Sequence, residues 1–147
     1  MVTQKSWFEC KVKYEKTSED GKQKKVTETY LIDAFSFTET ESRIIEEVTP
    51  FISGEFLIDD IKKVKLSEVF ESKDNNADKW YKCKIAIITM DEKSGSEKRK
   101  NSMSLVQGTN LTNALKNLDE GMKGSLIDFQ IVSVTETNIL DVFTYKG

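Results

Sequence analysis

Histidine is absent from these 147 residues, and cysteine, proline and glycine are scarce at two, one and seven. Without an imidazole there is no Ser-His-Asp triad, no His₃ zinc site and no histidine general base, so the chain is expected to be no enzyme. Two cysteines, with no leader-like segment at the polar 1–6 end, point to reduced thiols and a cytoplasmic location instead of a disulfide framework. No run approaches the roughly 18 apolar residues of a membrane span. Neither charge sign dominates: 22 Lys+Arg face 25 Asp+Glu, a net charge of −3. That balance offers no broad positive field for long nucleic acid, which is therefore a less favoured partner than a small ligand or a protein.

What is present is a repeat. Trp7-Phe8-Glu9-Cys10-Lys11-Val12 returns as Trp80-Tyr81-Lys82-Cys83-Lys84-Ile85. A polar turn follows each copy, around Gly21 and around Gly95, and then an extended run in which Leu31-Ile32 matches Leu105-Val106. A helical segment comes next in both. Ile61 and Val64 are matched with Ile131 and Val134, and Glu68-Val69-Phe70 with Asp141-Val142-Phe143. The chain thus reads as a single 1–147 domain of the α+β class, made of two ββαβ repeats, 1–72 and 79–147, joined by a polar linker at 73–78. Each repeat is expected to form an antiparallel sheet carrying one helix. The pair is expected to be related by a pseudo-twofold axis, since neither unit buries its sheet alone.

The local patterns support these elements. Phe8, Cys10, Val12 and Tyr14 alternate with Trp7, Glu9, Lys11 and Lys13, the period of a half-buried strand. Ser36 and Glu39 have capping-box spacing, Phe37, Ile44, Ile45 and Val48 share one helical face, and Pro50 stops the helix. The second helix runs from about Thr112 after an Asn110 cap, with Leu111, Ala114, Leu115 and Leu118 on its apolar side, and ends near Gly121 and Gly124. A hairpin, a crossover helix and a returning strand give strand order 2-1-3. The second strand has apolar residues on both sides, Tyr30 and Ile32 against Leu31, so both its faces are expected to be covered.

The segment Trp7 to Lys16, the segment Val26 to Ala34 with Ser36-Phe37-Thr38-Glu39, and Val132 to Thr137 resemble an uncharacterised domain-of-unknown-function family. These are small proteins of gut anaerobes, their phages and their mobile elements. The resemblance covers nearly the whole chain and carries no catalytic motif. It implies a phage or mobile-element origin and supplies no mechanism.

Cys10 and Cys83 fall on the inward face of equivalent strands and read as small hydrophobes, with no CxxC or histidine beside them. Glu46-Glu47 and Asp59-Asp60 are adjacent pairs whose side chains diverge, so no metal site and no cofactor is expected. The more pointed candidates lie on the opposite face. Trp7 stands with Lys11 and Lys13, and Trp80 with Lys82 and Lys84, an exposed ring beside ammonium groups that suits a base and its phosphate. The alternative reading is that each Trp packs at a sheet edge or a homo-oligomer interface. Lys22, Lys24 and Lys25 in one hairpin and Lys98, Arg99 and Lys100 in the other offer matching basic rims, with Arg99 a candidate phosphate ligand. Residues 1–74 carry 12 basic and 16 acidic groups, residues 75–147 carry 10 and 9. The expectation is a non-catalytic, homo-oligomeric binding protein for a small anionic or nucleotide ligand or a protein partner. Its sharpest form is an anti-defence protein that sequesters a nucleotide signal. A single-stranded nucleic-acid accessory protein and a structural assembly protein are the alternatives.

Overall fold

The computed structural model describes residues 4–144; the outermost ends of the two expected repeats, 1–3 and 145–147, lie outside it. In chain order the elements are β1 (Ser6–Thr17), β2 (Gln23–Ala34), α1 (Phe37–Val48), β3 (Phe56–Val64), β4 (Glu68–Phe70), β5 (Lys79–Met90), β6 (Glu97–Gly108), α2 (Leu111–Met122), β7 (Asp128–Glu136) and β8 (Ile139–Phe143). Two four-stranded sheets result, ordered β3-β1-β2-β8 and β4-β6-β5-β7. The α+β class, the two ββαβ-like units and the 2-1-3 order all stand. Among the described residues no helix is long and apolar enough to cross a membrane.

Each sheet gains a fourth strand, and it comes from the other half of the chain. β8 runs parallel to β2, with Leu31 opposite Val142 and Ile32 opposite Phe143. β4 runs parallel to β6, with Leu105 opposite Val69 and Val106 opposite Phe70. The matched tripeptides at 68–70 and 141–143 therefore occupy equivalent places, each on the hairpin of the repeat it did not come from. One compact unit holds the chain up to Lys65 together with the segment from Ile139 on, and the other holds Leu66–Asn138.

The repeat alignment is corrected at the returning strand. Lys11 pairs with Asp60 and Val12 with Ile58, so Asp59 is bulged out of β3. Lys84 pairs with Ser133 and Ile85 with Ile131, which bulges Val132 at the same place in β7. Ile61 lies across from Cys10 and Val134 across from Cys83, so Ile61 corresponds to Val134 and Ile58 to Ile131. A three-residue slip of the apolar pattern preserves most of its hydrophobic matches, which is why sequence alone misplaced it.

In the first unit Phe8, Cys10, Val12, Tyr30, Ile32 and Ala34 of the sheet pack with Ile44 and Val48 of α1. Burying each such branched side chain stabilises the unit by about 1.5–3 kcal/mol. Ser36 caps α1 by accepting from the Glu39 N–H at 3.1 Å, while the Glu39 carboxylate accepts from the Phe35 N–H at 3.3 Å. The buried stripe is Thr40, Ile44 and Val48. Phe37 and Ile45, expected on that stripe, are exposed, and the Phe37 ring meets the Phe8 ring edge-on at 4.9 Å. In the second unit Tyr81, Cys83, Ile85 and Val106 pack with Ala114 and Leu118 of α2, whose cap is the Asn110 side chain accepting from Asn113 N–H at 2.8 Å. Leu111 is half exposed.

α2 ends at Met122, between Gly121 and Gly124 as expected, with Gly121 in its last turn. A Cβ there would sit 2.6 Å from the Phe70 ring, so this glycine makes room for the exchanged strand β4. The helix stops at Lys123, which is extended with ψ 136°, and Gly124 follows with φ +89° in the turn that leaves it. Leu31 is buried together with Tyr30 and Ile32, and so both sides of β2 are covered.

Candidate functional site

β1 and β2 are twelve residues each; the fully buried core beneath them ends at Val12, with Tyr14 and Phe56 packed against it half-buried. Past that point Ser53, Gly54 and Glu55 of the loop after α1 join the far end of the hairpin. A groove of about 930 Å³ opens there, lined by Lys13, Tyr14, Lys25, Gly54, Phe56 and Leu57, among others. Tyr14 and Phe56 are brought together by the register, which sets them directly opposite on neighbouring strands. Val26 faces Tyr14 from the other side and completes an apolar strip.

The polar groups at the groove are mixed in sign. Lys13 and Lys25 share its walls with Glu15 and Glu55. The Lys13 ammonium lies 3.4 Å from the bulged Asp59, with its side chain about half exposed, so this ion pair is a weak restraint. Behind Tyr14 stands Glu28, which also accepts from the Tyr30 hydroxyl at 3.4 Å. Burial, then the hydrogen bond to Glu28, pushes the Tyr14 phenol up to about 12. Tyr30 is raised further, by burial and then by the Glu28 charge, and its ring stacks on Phe143 at 5.5 Å. Both phenols therefore remain neutral donors at physiological pH. The corresponding positions of the second unit are Ile87, Ser102 and Ser104, so this cluster belongs to the first unit alone.

The residues singled out from the sequence are dispersed. Trp80 is 2% exposed. Its carbonyl accepts from both the N–H and the hydroxyl of Thr137, at 2.9 and 2.8 Å. Strand alternation correctly put it opposite the Cys83 face, but alternation says nothing about whether that face is open, and the ring is no stacking platform. Trp7 is half-buried, with Asp33 and Val64 beside it on the neighbouring strands. Lys11 is partly buried between Thr29 and Asp60. Lys82 is exposed and Lys84 partly buried, flanked by Leu105 and Met103 on β6. Arg99 pairs with Ile88, eight residues along β5 from Trp80 and so about 26 Å away, and it donates to Gln130 at 3.0 Å. One small ligand cannot touch both Trp80 and Arg99. Lys13, about 20 Å along β1 from Trp7, is separated from that ring in the same way. Of the seven candidates only Lys13 lines the groove, joined there by Lys25 from the basic hairpin.

Cys10 and Cys83 are free and fully buried at equivalent positions. Burial pushes the thiols up to about 12 and about 11. They are small core hydrophobes. Among the described residues no group of three or more Cys, Asp or Glu is gathered in a way that would hold a metal.

Sequence reasoning overlooked Tyr14, Glu28 and Phe56. For Tyr14 and Glu28 the signal was available in the comparison of the two repeats: at 14, 28 and 30 the first copy carries Tyr, Glu and Tyr where the second carries Ile, Ser and Ser; Phe56 gave none, since Phe129 takes its place in the second.

The family model described as Domain of unknown function (DUF4494) matches residues 6–145, and the chain belongs to that family. No curated protein matches the chain.

Proposed function

We propose that this family member is a non-catalytic binding protein whose groove at the end of the first sheet takes a small aromatic anion of the nucleotide class. The observation that carries the reading is a groove lined by the paired aromatic residues Tyr14 and Phe56 and, from the alternate positions of the same hairpin, by Lys13 and Lys25. Aromatic faces next to ammonium groups accept a planar base and its phosphate together. Glu15 and Glu55 add acceptors for the exocyclic N–H groups of a base. In its sharpest form the ligand is a host nucleotide signal, and the protein a phage or mobile-element product that sequesters it. The single-strand reading loses support, because the burial of Trp80 removes the platform on which it rested.

Calorimetry against cyclic di- and trinucleotides and ADP-ribose derivatives tests the proposal. A binding heat with at least one of them is expected, lost in a Lys13→Glu, Lys25→Glu double variant that folds normally. No heat with any ligand from folded wild-type protein rejects it. Binding that survives the double variant rejects the groove as its site.

A further inference from the structure

The two outer strands that return from the helices, β3 and β7, occupy equivalent sheet edges but differ in chemistry. β3 carries Asp59, Asp60, Lys62 and Lys63 along its length, the charged side chains that keep an edge from pairing with another chain. β7 has none between Phe129 and Thr135, and its two acids sit at its ends, Asp128 and Glu136. Around it Leu126 is fully exposed, Ile127 and Val132 are about half exposed, and Ile131 is 36% exposed. This edge keeps only its bulge as protection.

The sequence around β7 is complementary to itself. When two copies of 125–133 run antiparallel about a twofold axis at Phe129, Ile127 falls opposite Ile131, Leu126 opposite Val132 and Asp128 opposite Gln130. The four exposed apolar residues then cover one another, and the acid meets an amide. Pairing centred on Val132 instead would set Asp128 against Glu136, two like charges face to face. Ile131 and Ile127, the residue just before β7, are four positions apart, so with the strand continued over Ile127 both reach the same face of the joined sheet.

We propose that two copies of this chain associate through β7, antiparallel and twofold about Phe129, extending the second sheet across the dimer. The contact is isologous and closes on itself, so it uses up the apolar edge without propagating into a fibre. Its contact residues are not those of the groove, and it stands or falls independently of the proposed ligand.

Analytical ultracentrifugation of the full chain over a concentration series is the test, with an Ile127→Lys, Val132→Lys double variant alongside. Both positions are exposed, so the variant keeps its fold, checked by circular dichroism. The expected result is a wild-type dimer whose dissociation constant rises by about 100-fold or more in the variant, where each lysine meets an apolar partner in a desolvated seam. A second variant, Ile127→Cys with Ile131→Cys, is expected to cross-link into a covalent dimer on mild oxidation, since the native thiols are buried. A wild-type monomer at every concentration, a dimer untouched by the lysines, an open-ended assembly, or no cross-link in a dimeric cysteine variant would each overturn the proposal.

Discussion

Arg43 and Asn117 make the same bond from the same place in two different helices. Each donates to a main-chain carbonyl of the strand that feeds its helix, Arg43 to Asp33 and Asn117 to Gln107, the latter at 2.9 Å. The surroundings are duplicated as well. Glu39 stands 3.8 Å from Arg43 and accepts from the Phe35 N–H; Asn113 accepts from Asn117 at 3.3 Å and from the Thr109 N–H at 3.0 Å. One repeat ties its helix down with ions, the other with neutral amides.

The ionic version is the more fragile to a single change. Removing Arg43 leaves the Asp33 and Glu39 carboxylates largely buried without their cation, and Glu39 Oε1 already lacks a hydrogen-bond partner. Arg43→Ala is expected to cost about 2–3 kcal/mol, below the full value for a buried pair because the site is partly solvated. Asn117→Ala is expected to cost about 1 kcal/mol. The triple change D33Q/E39N/R43N, which copies the amide version, should be more stable than R43N alone in urea denaturation.

The exchanged strands give a second test. Val142→Asp places a charge opposite Leu31, and its effect is expected in the other half of the sequence: hydrogen exchange should quicken in Thr29–Ile32 and stay unchanged in Ser104–Val106. Val69→Asp should do the reverse. Protection lost only around the substituted strand itself would contradict the pairing.

Two glycines are sites of close approach. A Cβ on Gly108 would lie 2.8 Å from the backbone of Ala114, so G108A is expected to lower stability by about 1–3 kcal/mol in thermal or urea unfolding. The first repeat has Ala34 and Thr40 at these positions, and its helix must stand correspondingly further from its strand. G121A meets only the Phe70 ring; it should cost less, and the Phe70→Leu change should restore most of the loss.

The thiols set an alkaline limit. Cys10 and Cys83 have their values raised from 9.0 to about 12 and about 11, so the folded state resists deprotonation that the unfolded state permits. Their contribution is fully present below pH 9 and declines as the pH climbs through the folded values, the unfolded chain then holding fewer protons. Stability measured from pH 8 to 11 should fall, less steeply in C10A/C83A relative to its own value at pH 8. At pH 8 neither thiol should react with a disulfide reagent until the protein is unfolded.

Much of this fold was legible because strand and helix periods are local. The Trp7 and Trp80 repeats placed β1 and β5, the Ser36 cap placed the first helix, and the Asn110 cap placed the second to within one residue of its start at Leu111. The exchange of β4 and β8 was not legible, since a parallel edge strand carries no turn to announce its neighbour, and Val69 or Val142 suits either sheet equally. At the site, alternation identified the face of Trp80 without revealing its cover. The groove was hidden for a different reason: Tyr14 and Phe56 are far apart in sequence and meet only through the register of β1 with β3.

The exchange also sets an order of assembly during translation. Everything in the second unit, from Leu66 to Asn138, has been made before the first residue of β8. The ribosome therefore delivers the unit that begins later as the first able to finish, while β2 of the earlier one waits with an open flank. Chains usually mature from the amino end onward; here the amino-terminal unit is the last to close.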